Sequence, residues 1–281
     1  MLLFSALVAG SFALGGLIAN LIDPIALTAF RFLFAAVLLS SIVMATGQFK
    51  RAYLDAPWRY FLLGASMALY FSMMFIALKT ATPISTSAIF TLTPPISAIF
   101  GWFLLRQITT KWIALALTIG AIGALWVIFE ADFAAFLTFD LGKGEALFLI
   151  GVVGHAFYAP LVPKLNRGEP PLVFTAGMLI AGTMLMGIIG APKIIATEWL
   201  NLPMIVYVCA AYLTIVTTGL TFFLVQYSAL RLPASKVMAY TYLIPSFVII
   251  WDGVLGHGLP ELKVAIGVIL TALALVMLLK R

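Results

Sequence analysis

Few side chains able to bind or react interrupt the long apolar runs of this 281-residue chain. His155 and Tyr158 lie three residues apart and therefore share a face of any helix. Together they could hydrogen-bond a carboxylate or an amine, with the imidazole able to change charge near neutral pH; the alternative is a neutral histidine packed against a neighbouring helix. Lys236 and Tyr240 form a second same-face pair. The lysine could neutralise an anionic group, or its amine could snorkel to the membrane surface. Tyr70, Phe90 and Tyr212 stand in mid-run, as do Phe71, Phe222 and Phe223. These rings suit the wall of a cavity for an apolar or aromatic solute, although lipid-facing packing is the commoner fate of any one of them. Gln226 reads as a gate residue or as polar glue between helices, and Thr91, Thr93 and Thr241 place hydroxyls beside prolines. Arg31 and Asp252 are charges within apolar runs. They could meet as an ionic lock, or Arg31 could serve a structural ion pair or bond backbone carbonyls.

The same inventory excludes much chemistry. Two histidines, His155 and His257, stand on different runs, and Cys209 is alone, so neither a cysteine metal cluster nor an intrachain disulfide can form. We expect no catalytic group, no metal and no cofactor. The chain has no glycine-lysine phosphate loop, so ATP does not drive it directly. An integral-membrane enzyme that modifies lipids is the rival from another class; such chemistry usually needs clustered histidines or carboxylates.

The elements that hold these residues follow from composition. With 64% hydrophobic and 9% charged residues and a mean hydropathy of +1.16, the chain cannot coat a soluble globule of its own size. Apolar runs long enough to cross about 30 Å of hydrocarbon as helices recur throughout. We read ten spans, at about 2–20, 25–45, 58–79, 84–105, 111–129, 143–163, 171–190, 203–229, 233–255 and 261–279. Residues 1–20 carry no basic stretch and no small-residue cleavage site, so they read as a retained helix. Small residues at helical spacing, Ser11, Gly15 and Ala19 in the first span and Ala116, Gly120 and Ala124 in the fifth, suit close helix packing.

Placing the N-terminus in the cytoplasm puts eleven lysines and arginines on the inner side and four on the outer, which favours both termini inside. The net charge of +6 is then an orientation signal rather than a nucleic-acid footprint. Five spans per half means that the second half enters the membrane from the opposite side. Landmarks pair at nearly constant offset: Lys79 with Arg231, Pro94 with Pro245 and Lys111 with Glu261 differ by 152, 151 and 150 residues. The fold class is thus all-α integral membrane: ten transmembrane helices as two inverted five-helix repeats, residues 1–130 and 143–281, joined by an external linker over 131–142. Pro94, Pro95 and Pro245 remove backbone donors in mid-span. The freed carbonyls need protein or water, so the fourth and ninth spans either wall a cavity or carry packing kinks.

The order of these features resembles the EamA branch of the drug/metabolite transporter superfamily across essentially the whole chain. The resemblance rests on Asp23-Pro24 before the second span, Arg31 within it, the small-residue-then-proline runs of the fourth and ninth spans, and the stretch from Leu232 through Tyr240 to Pro245. It implies a bacterial inner-membrane location and export of amino acids or related metabolites. Many members carry a tryptophan-glycine pair in the first span and an acidic residue after the fourth and ninth. Here those places read Phe12-Ala13, Arg106-Gln107 and Gly256-His257, so roles resting on them are not carried over. Four-helix relatives couple protons through a glutamate in their first helix, and residues 1–20 hold no acidic residue.

The expected function is a secondary transporter that exports a small amphipathic metabolite, an amino acid or a relative, by rocking of two inverted halves about a central site. Import or exchange of phosphorylated or sugar-like solutes is the alternative within transporters. The expected partners are a small-molecule substrate and the lipid bilayer, with no nucleic acid, and the chain is a monomer or homodimer.

Overall fold

The computed structural model describes residues 1–129, 132, 142–256 and 261–279; most of the expected 131–142 linker, and His257, lie outside the described residues. Among the described residues, nine helical segments are long and apolar enough to cross a membrane, and Leu2–Ile18 precedes them as a shorter apolar helix. Counting that helix as the first span, the others are Pro24–Ala45, Trp58–Ala77, Pro83–Leu105, Lys111–Ile128, Lys143–Leu165, Pro171–Ile189, Met204–Ala229, Ala234–Val254 and Leu262–Leu279. The protein is an all-helical, multi-pass membrane protein. Local chemistry sets several starts. Asp23 accepts from the amides of Ile25 and Ala26 at 2.9 and 3.3 Å with Pro24 in the first turn, and Thr110 accepts from Ile113 at 3.3 Å. The connectors hold more structure than plain loops, with a 3-10 turn over Arg51–Leu54 and a short helix over Ala191–Ala196.

Spans at matching positions in the two halves pack on one another: second with seventh, fifth with tenth, fourth with ninth. At the centre of the fifth–tenth pair, Gly123 and Gly267 face each other so closely that a Cβ on either would stand 2.7 or 2.6 Å from the other's carbonyl oxygen. Ala116 and Ala124 on the same span are fully buried. Gly120 leaves room for the ring of Tyr242 from the ninth span. In a bilayer, where lipid tails are as apolar as leucine, this close backbone approach supplies van der Waals attraction that apolar burial alone cannot.

Among the described residues, three spans depart from the α-helix in mid-length. The fourth ends as a helix at Phe90 and restarts at Thr93. Threonine hydroxyls bond back across the break: Thr93 Oγ1 donates to Phe90 O, which Pro94 leaves without its helical amide, and Thr91 Oγ1 to Ala88 O, both at 2.6 Å. The ninth passes through a 3-10 turn, Tyr240–Leu243, before restarting at Ile244–Val254 with Pro245 in its first turn. Ser5 of the first span reaches across to donate to Tyr240 O at 2.6 Å. The third irregularity was not foreseen: the eighth span widens into a π-helical turn over Ile215–Leu220. Threonine hydroxyls bond back along it, Thr217 and Thr218 to Leu213 O at 2.8 and 2.9 Å and Thr221 to Thr217 O at 2.7 Å. Such π turns are rare and recur at functional positions.

Candidate functional site

Side chains of the first, third, fourth, sixth and eighth spans converge on a central cavity of about 10 Å³, about what one water occupies. Two glycines of the sixth span bring its walls together. A Cβ on Gly151 would meet Tyr70 O at 3.1 Å, and one on Gly154 would meet Ser66 O at 3.1 Å. The third span can therefore lie against the sixth, which sets Tyr70 beside His155.

The imidazole of His155 sits between two rings, 4.6 Å from Tyr70 and 4.7 Å from Phe90, and these two rings stack at 5.1 Å. Its Nδ1 is buried with no hydrogen-bond partner. Phe222 lies 6.3 Å from Tyr158 and 5.5 Å from Phe71. Behind Tyr158, Gln226 donates to the phenol oxygen at 3.0 Å and contacts Met178 Sδ at 3.7 Å, while its Oε1 has no partner. The cavity is thus an aromatic box with a few polar atoms whose bonding is incomplete, the composition of a small-molecule site.

Arg31 stands against the same wall, fully buried. Its Nη2 donates to Thr217 Oγ1 at 3.1 Å and Thr218 Oγ1 at 2.8 Å, and its guanidinium lies 4.0 Å from the centre of the Phe71 ring and 5.0 Å from that of Phe75. Nε and Nη1 have no partner. Among the described residues no carboxylate pairs with Arg31; the donors reach the threonines of the π turn, and the ionic lock with Asp252 is not formed in this conformation.

The structure gathers six of the candidate residues, His155, Tyr158, Tyr70, Phe71, Phe90 and Phe222, into the cavity wall, with Gln226 directly behind. It does not bring the others there. Thr93 spends its hydroxyl on its own helix. Tyr212 donates to Leu7 O at 3.0 Å and faces Trp251. Lys236 and Tyr240 are half-buried and lie outside the cavity lining, because Lys236 falls in the first turn of its span and Tyr240 in the 3-10 turn. Pro94, Pro95 and Pro245 start the second helices of their spans and do not line the cavity. Ser11, which the sequence suggested for helix packing, lines it, as do Met67, Thr217 and Thr221, which the sequence did not single out; adjacent threonines inside an apolar run were the available signal.

Beyond the cavity, contacts tie the spans together on both faces. The face reached by the loops after the second, fourth, sixth and eighth spans carries most of the basic residues. There the side-chain oxygen of Gln107 accepts from the backbone amide of Ala234 at 3.2 Å, capping the ninth span. A buried ion pair, Arg59–Glu169 at 2.7 Å, ties the third span to the loop before the seventh, and Arg59 also donates to Leu165 O at 2.7 Å. A tight turn aims Glu169 back: Gly168 takes φ +99°, and the Arg167 amide donates to the carboxylate at 2.6 Å. Burial pushes the Glu169 carboxyl up, but the hydrogen bonds from Arg59 and the Arg167 amide outweigh it and hold the group below its ordinary 4.5. On the opposite face, Ser85 donates to Glu145 at 3.0 Å, joining the fourth and sixth spans.

Comparison with known proteins agrees with this architecture. The model of the EamA-like transporter family matches residues 1–129 and again residues 142–280. An uncharacterized transporter of Bacillus subtilis (strain 168), YyaM, is 24% identical over 272 residues, which cover 96% of this chain and 89% of the relative. A crystal structure of another protein, 20% identical, superposes with a TM-score of 0.76 over 99% of this chain and 95% of its own, a likeness of fold alone.

Proposed function

The chain belongs to the EamA-like transporter family, and from that premise we propose that it exports a small amphipathic metabolite, an amino acid or a relative, across a bacterial inner membrane by alternating access, with both termini cytoplasmic. The observation that carries the reading is the central cavity. It is walled by both halves of the chain and built from His155, Tyr158, Tyr70, Phe90 and Phe222, with spans joined by hydrogen bonds on both faces. Aromatic walls suit the apolar part of an amphipathic solute, and the incompletely bonded His155, Gln226 and Arg31 suit its polar end. A site for phosphorylated solutes would want two or more cations at the cavity. Among the described residues no lysine or arginine lines the cavity; Arg31 stands behind its Thr217 and Phe71, and Lys236 lies farther off in the first turn of its span, which favours the lighter charge of an amino acid.

Uptake and counterflow in proteoliposomes, with labelled amino acids and amphipathic amines and with or without a pH gradient, test the proposal. Saturable flux of one class that falls at least about tenfold in His155→Ala, while the variant still folds, is the expected result. Absence of flux for the whole panel would sink the amino-acid assignment.

A further inference from the structure

We infer that Arg31, presented with Thr217 and Thr218 by the π turn of the eighth span, is the subsite that recognises the carboxylate of the transported solute. The inference rests on the reading of the central cavity as the transport site and names the charge that the solute must carry. Its ground is an imbalance. Arg31 is a fully buried guanidinium to which only two hydroxyls and two aromatic faces respond, while Nε and Nη1 meet no acceptor. A buried charge is retained where something pairs with it, because leaving it unpaired costs several kcal/mol. Among the described residues no acidic side chain does so.

The position of the charge makes the missing partner a ligand. Thr217 and Phe71, the hydroxyl that Arg31 bonds and a ring that it stacks on, both line the cavity, so the guanidinium stands directly behind the wall and an anion in the cavity reaches it when Thr217 or Phe71 turns aside. The planar fork of arginine matches two carboxylate oxygens. The π turn places two consecutive threonines where both reach Nη2, and both hydroxyls also bond Leu213 O. They hold the guanidinium without neutralising it, and so leave its charge for the solute.

The test uses matched compounds: phenylalanine, phenylacetate, phenylalaninamide and phenethylamine, the first two with a carboxylate and the last two without. Binding is read as the rise in melting temperature of the purified protein, and transport as competition in counterflow. Wild type is expected to prefer the carboxylates by about ten- to a hundredfold, the range of one charge-assisted hydrogen-bonded contact. That preference should vanish in Arg31→Gln, persist in part in Arg31→Lys and weaken in Thr217→Val, the variant that keeps the test sharp should Arg31→Gln not fold. Equal engagement of the amide or amine, or a carboxylate preference that survives in Arg31→Gln or is untouched in Thr217→Val, overturns the subsite and leaves the transporter reading standing. Engagement of none of the four in either assay overturns the subsite together with the aromatic amino-acid form of that reading.

Discussion

His155 carries the clearest chemistry at the scale of single residues, because its ring is held by Tyr70 and Phe90 while Nδ1 is left without a partner. These residues were legible in the sequence, since a histidine and tyrosines in an apolar run are exceptions that need explaining. The Arg59–Glu169 pair was not. Arg59 is one of the eleven basic residues counted on the inner side, and nothing linear links it to a carboxylate 110 residues on; the link is made by the Gly168 turn. The pair also fixes a pH dependence. The folded-state pKa of Glu169 is depressed, so its stabilisation is fully present above the ordinary carboxylate value and is lost as pH falls through the folded value. The melting temperature of wild type should therefore drop on acidification below the carboxylate range. Glu169→Gln should start lower at neutral pH, by the equivalent of about 3 to 5 kcal/mol for a broken buried pair, and show a shallower acid slope. An identical acid slope in the two proteins would contradict the assignment.

The broken spans are the telling elements. Proline positions revealed the interruptions of the fourth and ninth spans, because a missing amide in mid-span has a local, readable consequence. Helix formers and hydropathy gave no sign of the π turn in the eighth, whose cause is a set of threonine hydroxyls competing for backbone carbonyls. That turn takes up one residue more than an α-helix would over the same rotation. Deleting Val216 should collapse it to an α-helix and leave the segments on either side nearly in register, so the change is confined to the turn itself. Thr217 and Thr218 would then lose the placement that lets both reach Arg31. We expect the deletion to fold and insert yet lose transport, checked by size-exclusion behaviour beside counterflow; retained transport would show that the turn has no part in the site.

At the scale of the whole molecule, a collapsed cavity of about 10 Å³ cannot admit a metabolite, so one closure must open for any solute to pass. The crossing of the fourth and ninth spans on the basic face is the closure best placed for a direct trial. A Cβ on Gly101 would stand 3.8 Å from the Cβ of Ala234, the mean separation in a disulfide. Cys209, the chain's one cysteine, is buried and can be replaced by serine to avoid a competing thiol. The decisive measurement is counterflow in proteoliposomes by a Gly101→Cys/Ala234→Cys variant in that background, oxidised and then reduced. The account predicts that the cross-link abolishes flux and that reductant restores it; full flux with the cross-link formed would contradict passage through an opening between these two spans.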